Sequence, residues 1–321
     1  MKRRDFLAAG AAAAFGGALR PALAQGAVVR QGYQTNMWGM PTYYLLRSGA
    51  LERQGIKAEE FAVPSGNITM QQMVGRQVDL GTYAGPSFLI GHARGQLVAI
   101  AQIEEVGKTT RIMARKELGL RTVADLRGKK IANQTGSSIG NVFVDQIAPK
   151  AGLKKDDWQE VRMNVNDMVA AMAAKTVDAM INVEPYNAIA EADGIATTIM
   201  NYWDVDRMPV FMAATPEFVD RNPDLAVRYL RAWLDVAGDF RNNKQKVSDT
   251  IYAFYTSKGY KMSPQTFAGA ISTIEVNPTF PADLSGYMRR QAEVLLRENK
   301  IKQMPDWSKA LRPEFMQRAK A

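Results

Sequence analysis

The chain has 321 residues, 46% hydrophobic and 23% charged, which is ordinary globular composition and enough length for two lobes with cores of their own. It has no cysteine and one histidine, His92, which excludes disulfides, thiolate metal sites, a cysteine nucleophile, a lipid-modified N-terminal cysteine and histidine-rich metal sites. Of the net charge of +9, the four basic residues and one acidic residue among the first 24 supply +3, and Lys and Arg nowhere alternate with aromatics as in a nucleic-acid surface.

Residues 1–24 read MKRRDFLAAGAAAAFGGALRPALA. Basic residues come first, then an apolar run from Leu7 to Leu19 that is too short to span a membrane, then Ala22-Leu23-Ala24, a small-x-small cleavage pattern. Arg3-Arg4-Asp5-Phe6-Leu7 is similar to the twin-arginine export motif. The expectation is a signal peptide cleaved near Ala24 and a soluble periplasmic protein beginning near Gln25.

The following segment alternates as a strand through Val28–Tyr33. An aromatic turn at 35–39 then precedes a helix expected over Pro41–Gln54, with proline in its first turn. Ile56–Val63 reads as a second strand, and Pro64-Ser65-Gly66-Asn67 as a turn in which Asn67 caps the next helix. Residues 67–86 and 166–185 are matched at a constant offset of 99: Asn67 with Asn166, Met73 with Met172, Val78-Asp79 with Val177-Asp178 and Pro86 with Pro185. This reads as two copies of one β-α-β-α-β-α unit, hence an α/β fold of mostly parallel sheets with flanking helices. Ligands of such sheets bind at the turns beyond the carboxyl ends of the strands. Here those turns are 35–39, 64–67 and 82–86 in one copy and 134–138, 164–166 and 182–186 in the other.

Leu97–Val106 and Arg111–Arg115 read as strands flanking a crossover between lobes near 107–116, and Pro209–Thr215 as the returning strand. The lobes are accordingly expected at 25–110 with 215–321, and at 111–214. Helices follow over Pro223–Asn242, Val247–Tyr255, Pro264–Ile274 and Leu284–Asn299, and the tail from Pro305 forms a surface strap.

Within the second copy, the strand Ile131-Ala132 enters the turn Thr135-Gly136-Ser137-Ser138 and then a helix carrying Ile139, Val142, Phe143 and Ile147. Gly136 allows the tight turn and Ser137 or Ser138 is a natural cap. The first-turn N–H groups would face outward, either as a plain helix cap or as a receptor for an anionic or polar group. Gly128-Lys129-Lys130 is no phosphate loop, since the upstream glycine spacing and the following Ser or Thr are missing. His92 lies in an apolar run and reads as structural.

Several stretches together resemble the solute-binding proteins of ABC importers, in the sulfonate/taurine/nitrate group that also includes binders of thiamine precursors. They are Gly49-Ala-Leu-Glu-Arg-Gln-Gly55-Ile-Lys, Gln77-Val-Asp79-Leu-Gly81 with Pro86, Leu118–Lys129, Thr135–Ser138, Ala151-Gly152-Leu153 with Asp156-Asp157, Val177-Asp178-Ala179 and Glu184-Pro185-Tyr186. The resemblance covers nearly the whole chain after the leader. It implies a two-lobed periplasmic binding protein clamp closing on a ligand, without cofactor or metal, acting as a monomer with a permease and an ATPase as partners. It carries ligand contact onto Trp38, Gly39, Ser65, Tyr83, Ala84, Thr135, Ser137, Ser138, Asn164, Asn182 and Glu184. Trp38 and Tyr83 would cover the body of the ligand, and the 135–138 turn would hold its polar end. Glu184 is the misfit: it would face a ligand amine or hydroxyl, tie a base across the cleft, or serve as a helix N-terminal charge.

The ligand expected is a small organic solute, an aliphatic sulfonate, a taurine-like compound or a related organic anion, because these turns contain no Arg or Lys for a bare inorganic anion. A binder of a thiamine-pyrimidine precursor is the alternative, as is a sensor docking on a membrane receptor. An enzyme on the same clamp would need the histidine-rich site of the pyrimidine-synthesising relatives or the cysteine nucleophile of the desulfinating ones, and neither is present.

Overall fold

The computed structural model describes residues 27–321, so the expected export signal and its cleavage site lie outside the described residues. The first pass of the chain forms β1 (Ala27–Gln34), β2 (Ile56–Val63), β3 (Leu80–Ala84) and β4 (Val98–Glu105). It then crosses to β5 (Thr110–Arg115), β6 (Lys130–Asn133), β7 (Gln159–Arg162), β8 (Ala179–Val183) and β9 (Ala196–Asn201). It returns through β10 (Pro209–Ala214) and later adds β11 (Val276–Thr279). The first sheet has the order β11-β4-β10-β3-β1-β2 and the second β7-β6-β8-β5-β9. The molecule is thus a two-lobed α/β clamp.

The internal repeat appears in the topology. β1 pairs in parallel with β2 and β3, and β6 does so with β7 and β8. β3 and β8 stand 99 residues apart end to end and are buried throughout, because helices cover both faces of these central strands. The repeated aspartates explain their own recurrence. Asp79 accepts the Arg30 N–H at 3.0 Å and binds the Arg30 guanidinium, while Asp178 accepts the Lys130 N–H at 2.9 Å and binds Arg115 at 2.8 Å. Each carboxylate therefore ties the start of the central strand to its neighbours.

The parallel part of each sheet is confined to those three strands. β10 lies antiparallel to β3 and β4, and β5 lies antiparallel to β8 and β9. Each antiparallel insertion is a strand that has just crossed between lobes. Because β10 belongs to the first sheet, the expected second-lobe span of 111–214 is corrected at its end: residues 209–214 fill the centre of the first lobe. The crossovers are residues 106–109 and 202–208. They are tied side by side by Val106 N–H to the Met208 carbonyl at 3.1 Å and Gly107 N–H to the Arg207 carbonyl at 2.8 Å.

Some element boundaries shift for local reasons. The helix expected over 41–54 divides into Met40–Leu45 and Ala50–Arg53, because the Ser48 hydroxyl donates to the Leu45 carbonyl and accepts the Ala50 N–H. Ser65 rather than Asn67 precedes the helix Gly66–Val74. The Pro223–Asn242 helix buries Leu225, Tyr229, Leu230, Trp233, Val236 and Phe240 as its spacing requires.

Candidate functional site

The two sheets meet at their carboxyl-end turns. A small cavity there is lined by Gln34, Asn36, Trp38, Gly66, Asn67, Ala84 and Ser87 from the first lobe and by Gln134, Ser137, Ser138, Ile139 and Val183 from the second. None of these side chains carries a charge. The free volume is about 10 Å³, room for about one water molecule.

Three helix starts converge on this cleft, at Gly66, Gly85 and Ser138. Their first-turn N–H groups have no acceptor within their own helix, so the cleft is rich in donors without containing a cation. Ser137 accepts the Gly140 N–H at 3.3 Å and donates to the Gln134 carbonyl at 2.6 Å, which caps the helix of the second lobe. Gly136 makes the preceding turn at φ +83°, a conformation that costs other residues. Ser138 reaches across the cleft: its Oγ lies 2.9 Å from Ser87 Oγ and accepts the Ser87 N–H at 3.3 Å. Met37 N–H also crosses, to the Glu184 carbonyl at 3.3 Å.

The Trp38 ring lines the same space, and its indole Nε1 donates to Thr109 Oγ1 in the crossover at 2.9 Å. One wall of the cleft is thereby fastened to the segment that joins the lobes. Two further groups carry unspent polarity. Gln34 Oε1 and Gln134 Nε2 are buried, line the cleft from opposite lobes and have no hydrogen-bond partner among the described residues. Leaving such a group unsatisfied costs about 1–3 kcal/mol.

Of the residues expected here from sequence, Trp38, Ala84, Ser137 and Ser138 line the cavity. Ser65 is buried at the start of its helix beside Gly66 but outside the lining. The others stand elsewhere. Gly39 packs where a Cβ would sit 1.8 Å from the Gln34 carbonyl oxygen, and its N–H is spent on the Asn36 carbonyl. Tyr83 is a residue of β3 rather than of the turn, and it points into the core with its hydroxyl on Met73 Sδ at 3.3 Å. Burial pushes that phenol well above its ordinary pKa. Thr135 faces outward and donates to Glu160. Asn164 is exposed and its carbonyl accepts the Asp167 N–H within its own turn. Asn182 is spent on the Val165 carbonyl at 3.0 Å and on the Val183 N–H at 2.8 Å.

Glu184 is fully buried. Its Oε1 lies 2.7 Å from Arg111 Nη2, and its Oε2 accepts the Ala188 N–H at 3.1 Å in the first turn of the following helix. Arg111 stands on β5 in the same lobe, so the pair does not bridge the cleft. Burial lifts the Glu184 pKa and Arg111 opposes the lift. The helix-start reading of this carboxylate is the one its contacts support. Gln34, Asn36, Gly66, Asn67, Ser87, Gln134, Ile139 and Val183 line the cavity beyond the contacts that the sequence implies. Gln34 and Gln134 end or follow the first strand of each copy, which is the signal that could have located them.

The chain matches the family described as NMT1/THI5 like over residues 40–246. It belongs to that family. A protein of Brucella abortus (strain 2308) that bears the name binding protein is 31% identical over 310 residues, 94% of this chain and 95% of its own. The alkanesulfonate-binding protein SsuA from Xanthomonas axonopodis pv. citri, solved bound to MOPS, aligns with a TM-score of 0.79 at 21% identity over 90% of this chain and 99% of its own. The periplasmic aliphatic sulphonate binding protein SsuA from Escherichia coli aligns at 0.75 and 21% identity over 89% and 92%. The desulfurization enzyme DszB shares the architecture at 0.68 and 15% identity over 91% and 98%. At such identities the structures establish the shared fold, which is that of sulfonate- and nitrate-type periplasmic binding proteins.

Proposed function

We propose that this protein is the exported solute-binding component of an ABC importer, closing two lobes over a small organic anion of the aliphatic sulfonate or taurine-like class. The observation that carries this reading is the pair of unpartnered amides, Gln34 Oε1 and Gln134 Nε2, in an uncharged cleft where three helices begin. A sulfonate accepts hydrogen bonds from Gln134, from the Ser87 and Ser138 hydroxyls once their mutual contact opens, and from the first-turn N–H groups that this opening frees. An amine or hydroxyl elsewhere on the solute donates to Gln34, and Trp38 covers the chain between them. The relatives' names support this choice of ligand class.

A cavity the size of one water cannot hold such a solute beside the present Ser87–Ser138 contact, so entry requires the lobes to part about the two crossovers. Ligand contacts made only in the closed state then shift the balance toward closure, which a permease can read. A change from mostly open to mostly closed needs roughly 5 kcal/mol of differential affinity. A monomer captures solute in the periplasm and delivers it unchanged to the permease and its ATPase.

Calorimetric titration with butanesulfonate, taurine and nitrate tests the proposal. Saturable binding of an organic sulfonate is expected, weakened about tenfold or more by Ser138→Ala or Gln134→Ala and little changed by Tyr83→Phe, with the ligand recovered intact by mass spectrometry. Nitrate binding alone, or sulfonate affinity indifferent to both substitutions, overturns it.

A further inference from the structure

A second and larger opening between the lobes lies at the crossovers. Its volume is about 710 Å³, and it is walled by β4 and the helix Leu284–Arg297 of the first lobe, by Gln146 and Lys150 of the second, and by residues 203–209. We propose that this cavity is a separate binding site, which seats the ammonium or amidinium group of a small organic cation on Glu104 and Asp206.

The buried polar groups are all acceptor-bearing and two of them are unspent. Gln102 and Glu104 stand two apart on β4, are 6% and 3% exposed, and make no side-chain hydrogen bond among the described residues. Asp206, 4% exposed, takes Tyr287 OH and Met208 N–H at 2.8 Å each and Gln291 Nε2 at 2.6 Å, all neutral donors. No Lys or Arg lies within 4.0 Å of either carboxylate among the described residues. The cations that line the opening stand in its exposed parts, where Lys108 pairs with Glu275 at 3.0 Å and Arg207 approaches Glu105 at 4.0 Å. Two buried carboxyl groups without a countercharge are costly, and burial pushes both upward in pKa. An organic cation supplies the missing charge and donors together.

A metal ion fits poorly, since no group of three His, Asp or Glu side chains among the described residues is placed to hold one. At the opening the Trp203 ring already carries two of the protein's own cations, with Lys108 Nζ and the Arg207 guanidinium 4.7 and 5.1 Å from its centre, so it reports on what enters there.

The test is calorimetry on the purified protein with butylammonium and acetamidinium chlorides, against sodium butyrate and 1-butanol. Saturable binding of a cation and of neither counterpart is expected, weakened roughly tenfold or more by Glu104→Gln. Nuclear magnetic resonance of the unsubstituted protein gives a readout independent of that variant: the Trp203 indole signal should move with butylammonium while that of Trp38 stays. No saturable cation binding, equal binding of butyrate or butanol, indifference to Glu104→Gln in a folded variant, or movement of Trp38 instead of Trp203 overturns the proposal.

Discussion

Arg111 and Glu184 show how a side chain can look like a ligand contact and serve the frame instead. The pair lies inside one lobe, and Arg111 also holds Glu191 at 2.7 Å. Since burial lifts the Glu184 pKa above its ordinary 4.5, the folded protein binds that proton more tightly than the unfolded chain, and stability falls as pH rises through the interval above 4.5. Arg111→Ala removes the group that opposes the lift, so the interval extends upward. Urea denaturation should show a loss of about 3 kcal/mol at neutral pH that shrinks as the pH is lowered, because protonation removes the uncompensated charge of Glu184. A loss independent of pH would mean that Arg111 acts through packing alone. Sequence could place Glu184 at a turn but not its partner, because strand pairing between residues 73 apart leaves no local trace. Tyr83 stands elsewhere for a related reason: β3 runs three residues further than the turn signal implies, and the pleat then sends the ring into the core.

The two opening turns are the elements that sequence located best, yet their glycines do different work. Gly39 is held by crowding, with the Gln34 carbonyl oxygen 1.8 Å from where a Cβ would stand, while Gly136 has nothing within 4 Å and is held by its φ of +83°. Gly39→Ala must push the turn off the end of β1, and it should cost about 3 kcal/mol and displace Trp38 from the cleft. Gly136→Ala pays only the left-handed backbone, about 1 kcal/mol. Chemical denaturation of the two variants should separate them by that margin, and equal losses would show that the first turn relaxes freely. Both turns were legible because a glycine or a cap residue is a local requirement. The division of the helix near Ser48 was not, since a serine bonding its own backbone competes with a helical pattern that reads as continuous.

At the scale of the molecule, the offset of 99 disclosed the two lobes, but the strand that each lobe lends its neighbour stayed ambiguous. An apolar run such as Pro209–Ala214 fits either sheet, and only pairing with β3 and β4 decides it. On the proposed hinge closure, the same two-lobed construction makes the closed arrangement depend on contacts away from the cleft. Lys300 of the first lobe reaches Asp145 of the second at 2.5 Å and Asn141 at 3.0 Å, and Gln146 meets Gln291 at 3.1 Å. Burial lifts the Asp145 pKa and Lys300 opposes it. In Lys300→Met the closed state retains a buried carboxylate without its cation, whereas parting the lobes returns that group to water. With the partial exposure of Lys300 discounted, closure becomes less favourable by about 1–2 kcal/mol, so the apparent affinity for a cleft ligand falls about tenfold. Because the closed state takes up the Asp145 proton more readily than the open one, lowering the pH should restore much of the lost affinity. Titration at two pH values, with small-angle X-ray scattering to follow the widening, checks both halves of the argument. A variant that keeps full affinity and the same radius of gyration would show that this ion pair does not help to hold the lobes together.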